Sequence, residues 1–128
     1  PPVPEKLPQN FELKIDINQQ FIKKFIAGSQ ALVETWTFTV VTQNNTASIV
    51  IGYSTVNTNK VTLPVLTTEY KELDNISFNA SSLTEILSAN KECESAILEV
   101  SPDGVAKITF KIDNYKSTYY LVAVQDVD

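Results

Sequence analysis

Histidine and arginine are absent from this chain, and cysteine and glycine are scarce. Without histidine, the commonest general acid–base is missing, as is the usual base for a serine or cysteine nucleophile. A single cysteine, Cys93, cannot form an internal disulfide or a Cys/His cluster for zinc. Three scattered glycines do not build a phosphate-binding loop. We therefore expect no enzyme, no catalytic residue, no metal and no cofactor.

Long apolar runs are also missing. No stretch approaches the ~20 residues that a membrane-spanning helix needs, and no signal peptide is recognisable at the N-terminus. Together with the single cysteine, this favours a cytoplasmic protein in a reducing compartment, without a membrane partner. The sequence does not begin with methionine, which favours a fragment of a longer protein.

The composition present is that of one ordinary globular domain. The chain has 128 residues, of which 43% are hydrophobic and 20% charged, and this length is sufficient to bury a substantial core. Its net charge is −5, and its fifteen carboxylates are best explained as a solvated surface. The opening "PPVPEKLP" predicts an extended connector over residues 1–9, followed by a single domain over residues 10–128.

The first half of the domain contains one strand, one helix and three further strands. "FELKIDI" alternates apolar and polar residues, which predicts a half-buried strand. Asn18 is a suitable N-cap for the helix "QQFIKKFIAGSQAL". The apolar stripe of this helix consists of Phe21, Ile22, Phe25, Ile26 and Leu32. Three strand-like runs follow at residues 33–41, 46–54 and 60–66, the third ending in a polar loop that begins at Thr67.

The second half repeats this order. "NISFNA" predicts a strand, and Ser81 or Ser82 is a candidate cap for the helix "SSLTEILSANK". Three strands follow at residues 94–101, 105–113 and 116–124, the first two joined by the turn "SPDG". The chain is therefore predicted to hold two half-repeats, residues 10–66 and 74–124.

The last strand, "STYYLVAV", carries more apolar residues than one face can bury, because successive side chains point to opposite sides of a sheet. One set is expected to pack under the helices and the other to face outward as an apolar patch. The two sets are Tyr119, Leu121 and Ala123, and Tyr120, Val122 and Val124.

The first helix also carries two adjacent lysines, Lys23 and Lys24, on the side opposite its apolar stripe. Gln20, Ala27 and Ala31 lie on the same side. Taken alone, two such lysines usually indicate only a solvated helix face, so they do not by themselves identify a binding surface.

The doubled strand–helix–three-strand unit resembles the domain of DNA sliding clamps. The ending "SPDGVAKITFKIDNYKSTYYLVAV" is similar to the last two strands of that family. The opening, a Pro-rich connector and a strand before a helix beginning "QQ", is similar to the C-terminal domain of T-even-like phage clamps. The resemblance implies an α+β fold with two helices side by side on one face of about eight strands.

The resemblance further implies a DNA polymerase processivity factor, which encircles duplex DNA as a ring without reading its sequence. The helices would line the ring, so the implied DNA-facing residues are Gln20, Lys23, Lys24 and Lys91. Glu85, on the outward side of the second helix, departs from this pattern. The subunits of the full-length protein would associate with one another, and a phage source would place the ring in the host cytoplasm.

A second implied site is a hydrophobic groove that binds short peptides of the polymerase and the clamp loader. The matching positions are Val105, Tyr120 and Val122, with Val3 and Leu7 of the connector nearby. The alternative interpretation of the whole chain is a β-rich structural or adhesion module of a phage virion. Two amphipathic helices at matching places in the two halves would argue against that alternative.

Overall fold

The computed structural model describes residues 10–32, 36–52 and 60–124. Each half has the order strand, helix, strand, strand, strand, so the predicted α+β fold with two such repeats is confirmed. The elements of the first half are β1 Leu13–Ile17, α1 Gln19–Ala31, β2 Thr37–Gln43, β3 Thr46–Ile51 and β4 Val61–Glu69. Those of the second are β5 Ile76–Asn79, α2 Ala80–Ala89, β6 Ser95–Ser101, β7 Val105–Ile112 and β8 Tyr115–Val122.

The strands form one antiparallel sheet that curves around both helices. Its order is β5-β2-β3-β4-β1-β6-β7-β8. The four strands of the first half are therefore neighbours, with β5 on one side of them and β6, β7 and β8 on the other. The two end strands, β5 and β8, approach each other, and the Val124 N–H donates to the Ser77 carbonyl at 2.9 Å. The sheet is therefore a nearly closed barrel, and the helices lie on its concave side.

Strand β4 pairs with β1 within the first half. It extends three residues beyond the predicted end at Leu66, with Thr67 opposite Ile15 and Glu69 opposite Lys14. The predicted loop at Thr67 is therefore wrong at its start, because polar side chains are accommodated on the outer face of the strand. Within residues 10–32, 36–52 and 60–124, the first part of β4 has no partner on the β1 side, since β1 gives way to α1 after Ile17.

The core lies between the helices and the sheet, and aromatic rings fill its centre. The Phe25 ring meets the Phe38 ring edge-on at 5.4 Å, and Phe38 stacks on Phe78 at 5.5 Å. All three side chains are fully buried, and such burial contributes about 2–3 kcal/mol for each ring. Trp36, which shares the alternation of Phe38, lies before β2 begins and is largely exposed.

Both helices begin directly after a strand, at an asparagine. The Asn18 side chain accepts a hydrogen bond from the Phe21 N–H at 2.8 Å, which confirms the predicted cap of α1. Asn79 does the same for the Ser82 N–H, also at 2.8 Å. The prediction that Ser81 or Ser82 caps α2 is wrong, because both residues already belong to the first turn of the helix.

Candidate functional site

The outer surface of the helix pair carries the residues implied to face DNA. Gln20, Lys23 and Lys24 of α1 are exposed, and Lys91, beyond the end of α2, is exposed as well. The two helices lie side by side and contact each other. Their sequences contain two lysines and one glutamate, a net charge of +1 in a chain whose net charge is −5. The helix surface is therefore less acidic than the protein as a whole.

The two helices differ in their exposed charges. Lys24 is the sixth residue after the cap of α1, and Glu85 is the sixth residue after the cap of α2. Ser81, Ser88 and Ala89 are the other exposed residues of α2. A polyanion near this surface would accordingly meet α1 more favourably than α2.

Strand β8 presents the alternation that its sequence predicts. Tyr120 and Val122 point outward and are 40% and 44% exposed, whereas Leu121 is buried at 9%. The Tyr119 hydroxyl accepts a hydrogen bond from Asn90 Nδ2, at the end of α2, at 3.1 Å. The outward side of β8 is thus the one that carries Tyr120 and Val122, and their role in binding stays a prediction.

The other groove positions are placed less uniformly. Val105 lies directly opposite Val122 in the β7–β8 ladder, but its side chain is only 3% exposed and offers little surface. Val3 and Leu7 lie outside the described residues, as does the whole connector predicted over residues 1–9. Among the described groove residues, Tyr120 and Val122 therefore supply most of the accessible apolar surface.

A surface cavity of about 260 Å³ lies beside this patch, and sequence reasoning did not find it. It is bounded by the Pro102–Gly104 turn, by the start of β5 and by Ala123 and Val124. These segments are far apart in the sequence and meet only because β5 and β8 are the two ends of the sheet. The cavity therefore lies where the two end strands of the sheet approach each other.

Among the described residues, two strand edges are open, a feature that the sequence also left unassigned. The first part of β4, near Pro64, pairs with no described strand on the β1 side, and a cavity of about 170 Å³ separates it from the first turn of α1. Proline is tolerated at such an edge because it has no N–H to donate. The second edge is β8, which contacts β5 only near its C-terminal end.

The described residues hold no group of three or more His, Cys, Asp or Glu placed to bind a metal ion. Burial raises the pKa of the Cys93 thiol, so this thiol is held in its protonated, less nucleophilic form. In the part of the chain that the structure covers, neither helix has the length and apolar character to span a membrane.

Solved structures similar to this fold are DNA sliding clamps. The beta subunit of the DNA polymerase of Streptococcus pyogenes matches with a TM-score of 0.62 and 23% identity, over 94% of this chain and 33% of that one. A sliding clamp of Bartonella birtlesii, subunit beta of DNA polymerase III bound to griselimycin, matches with a TM-score of 0.63 and 15% identity, over 94% of this chain and 32% of that one.

The chain thus spans about a third of the length of the clamp subunits that it matches. No protein-family model matches it, and no curated protein matches it by sequence. The likeness rests on the doubled unit, the eight antiparallel strands and the paired helices. By these features, the chain has the DNA clamp fold.

Proposed function

We propose that this chain is a domain of a DNA sliding clamp, a non-enzymatic processivity factor that encircles duplex DNA and tethers the polymerase. The observation that carries the proposal is the helix pair: the sheet covers one side of it, and the exposed side bears Lys23 and Lys24 on an otherwise acidic protein. In the alternative, a virion structural or adhesion module, two such helices at matching places in both halves would not be expected.

In the proposed ring, the helix surface acts by weak, sequence-independent contacts with phosphates. Each lysine–phosphate contact adds about 0.9 to the salt slope of DNA binding. A ring that holds DNA topologically needs only a few such contacts for each domain. Lysine suits this role because its ammonium is a hydrated point charge, whereas arginine grips phosphate through two parallel hydrogen bonds. The acidic remainder of the chain keeps the other surfaces from binding DNA.

Assembly of the ring is proposed to use the two open strand edges. An open edge presents unpaired N–H and C=O groups that a strand of another subunit can complete. The edge of β4 and the edge of β8 are different surfaces, so their pairing would be head-to-tail, and such contacts form a closed ring when the rotation is right. Leu66 and Tyr115, both largely exposed, lie on these two strands and would be covered on assembly.

The patch of Tyr120 and Val122 is proposed to bind short peptides of the polymerase and the clamp loader, with Val105 beneath it. Residues 1–9 would be the connector to a preceding domain, with Val3 and Leu7 rimming the groove, and residues 10–128 one clamp domain. The resemblance to T-even-like phage clamps makes the host cytoplasm the proposed location.

Topological retention tests the DNA-binding role. The full-length protein, once loaded, should stay on closed circular DNA during a salt wash and be lost when a single cut linearises that DNA. Changing Lys23→Glu and Lys24→Glu together should weaken retention, most visibly at higher salt, because two attractive contacts become repulsive. Lys71→Glu with Lys111→Glu, the same charge change on exposed residues of the loop after β4 and of β7, is the matched control and should leave retention intact.

Equal retention on circular and linear DNA would contradict encirclement. If both double variants lose retention equally, the effect is one of net charge, and the assignment of α1 to the DNA side fails.

Peptide binding tests the groove. Tyr120→Ala combined with Val122→Asp should weaken binding of a synthetic peptide from the C-terminus of the cognate polymerase at least tenfold, about 1.4 kcal/mol. Ile97→Ala, which removes another exposed apolar side chain from the same sheet, is the control and should bind as the unchanged protein does. Unaltered binding by the double variant would show that the peptide binds elsewhere.

A further inference from the structure

A row of charged side chains crosses the outer face of the sheet and ends at the apolar patch. Lys14 on β1 lies 2.9 Å from Glu69 on β4 and 3.7 Å from Glu99 on β6. Glu99 in turn lies 3.9 Å from Lys107 on β7, and Lys107 is directly opposite Tyr120 on β8. The row therefore ends at a lysine on the strand next to the ring on which the proposed peptide groove depends.

The two lysines of the row are satisfied to different degrees. The Lys14 ammonium donates a hydrogen bond to the Glu69 carboxylate, and this raises the pKa of Lys14. The same ammonium also attracts one oxygen of Glu99. Within the described residues, the ion pair of Lys107 is the longest of the three, and its carboxylate is shared with Lys14. At 3.9 Å this pair is longer than a hydrogen bond, so the Lys107 ammonium retains donors for another acceptor.

The position of the Lys107 ammonium is defined by its neighbours. It lies 5.6 Å from the centroid of the Phe11 ring, within the range of a cation–π contact, and the Lys107 side chain is 32% exposed. The Cβ atoms of Lys107 and of its strand partner Tyr120 are about 5 Å apart on the same face. The Lys107 side chain is thus partly accessible and originates one strand away from the apolar surface.

We infer that Lys107 makes the groove of Tyr120 and Val122 selective for peptides that carry a carboxylate one or two residues from an apolar anchor. This inference rests on the proposed function of the groove. An anchor seated between Tyr120 and Val122 leaves its neighbouring residues within reach of the adjacent strand. The acidic protein as a whole repels an acidic peptide, so one accessible cation at the groove decides where such a peptide binds and in which direction.

Selection from a random peptide library tests this inference without assuming a partner sequence. Libraries of random eight-residue peptides would be selected on the unchanged chain and on Lys107→Gln, Lys14→Gln and Tyr120→Ala. The matched control is Lys14→Gln, which neutralises the other lysine of the same row at a distance from the groove. Peptides selected on the unchanged chain would then be measured in pairs that differ only by Glu or Gln.

Peptides selected on the unchanged chain should combine an apolar anchor with an acidic neighbour, and the Glu form should bind about threefold more tightly than the Gln form at low salt. Lys107→Gln should abolish that ratio, Lys14→Gln should preserve it, and high salt should reduce it. Apolar peptides that require Tyr120 but show no acidic preference would overturn the inference and leave the groove standing. A library that yields no peptide dependent on Tyr120 would overturn both.

Discussion

The two halves of the domain share one architecture but not one chemistry. Exchanging the halves exchanges β1 with β5, β2 with β6, β3 with β7 and β4 with β8, and the strand order then reads the same around the nearly closed sheet. Both helices begin at an asparagine cap directly after the first strand of their half. The comparison teaches that backbone pairing and caps define the fold, whereas core residues and surface charges differ between the halves.

The cores of the halves are filled differently at matched positions. The matches follow from the caps and from the ladders, in which Phe78 pairs with Phe38 and Ile17 with Ala96. One side of the core holds three aromatic rings, and the other holds aliphatic side chains of unequal size: Phe25, Phe38 and Phe78 against Ile86, Ala96 and Ile17.

The largest effect on stability is expected from replacing Phe38 by alanine, the residue that the second half has at the matched position, Ala96. Phe38→Ala removes a fully buried ring that contacts both Phe25 and Phe78, and should lower the free energy of unfolding by about 3–5 kcal/mol. Urea unfolding followed by circular dichroism measures the loss. Leu66→Ala, on an exposed side chain, should stay within about 0.5 kcal/mol. Similar losses for the two changes would mean that the aromatic cluster is not central.

A smaller effect is expected where α1 approaches the sheet. A Cβ at Gly28 would lie 3.1 Å from Ile51 Cδ1 and 3.3 Å from Val61 Cγ1, so Gly28→Val should cost about 2 kcal/mol of stability. The matched residue after the cap of α2 is Ala89, which is exposed. Ala89→Val should cost only its helix propensity, about 0.6 kcal/mol. A Gly28→Val protein as stable as the Ala89→Val protein would show that the sheet yields at this contact.

The contact between the first and the last strand should also differ in strength between the two halves. In the first half, β1 and β4 form a ladder, whereas in the second half the described residues connect β5 and β8 through the Val124 N–H and the Ser77 carbonyl. Val124→Pro removes this donor and should cost about 1 kcal/mol. Amide exchange near Ser77 should accelerate while that of Ile15 does not. Uniform exchange at both contacts would show that they are equally stable.

The smallest change in stability is expected from exchanging charges between the helices. Glu85→Lys gives α2 the charge that α1 has at the matched position Lys24, and the free energy of unfolding should move by no more than about 0.5 kcal/mol. If both helices face DNA, the change should add about 0.9 to the salt slope of DNA binding. An unchanged slope would place this turn of α2 outside the DNA contact.

Much of this fold could be predicted from periodicity and turn signals. Alternation from Leu13 to Ile17 and from Tyr119 to Val122 correctly gave the buried and outward faces, since a strand has a period of two whatever its partner. The buried position that the same alternation predicts for Phe11 is wrong, because Phe11 lies before β1 begins and its ring contacts Lys107. The helical period equally predicted the apolar stripe of α1 and the exposed side that carries Lys23 and Lys24. These features depend on neighbours in sequence, and they carried the prediction of the architecture.

Features that depend on strand order could not be predicted in the same way. The row from Glu69 to Lys107 draws on four strands of both halves, and no local pattern reveals that these strands are neighbours. The extension of β4 beyond Leu66 has the same cause, because β1 supplies the partner that makes a polar segment a strand. The cap at Asn79 was missed because α2 follows β5 without a loop. Asn79 was therefore assigned to the strand, and a later serine to the cap.

The invariance of the strand order under exchange of the halves bears on how such a chain could arise. Strands β4 and β5 are not paired, so the chain could be cut between them, and β8 could be joined to β1 by a link like residues 70–75, without breaking a ladder. A circular permutant of this kind is expected to fold. By the same geometry, two copies of a single strand–helix–three-strand unit would form equivalent ladders around a twofold axis, so that duplication and fusion of one short gene would suffice to produce the domain.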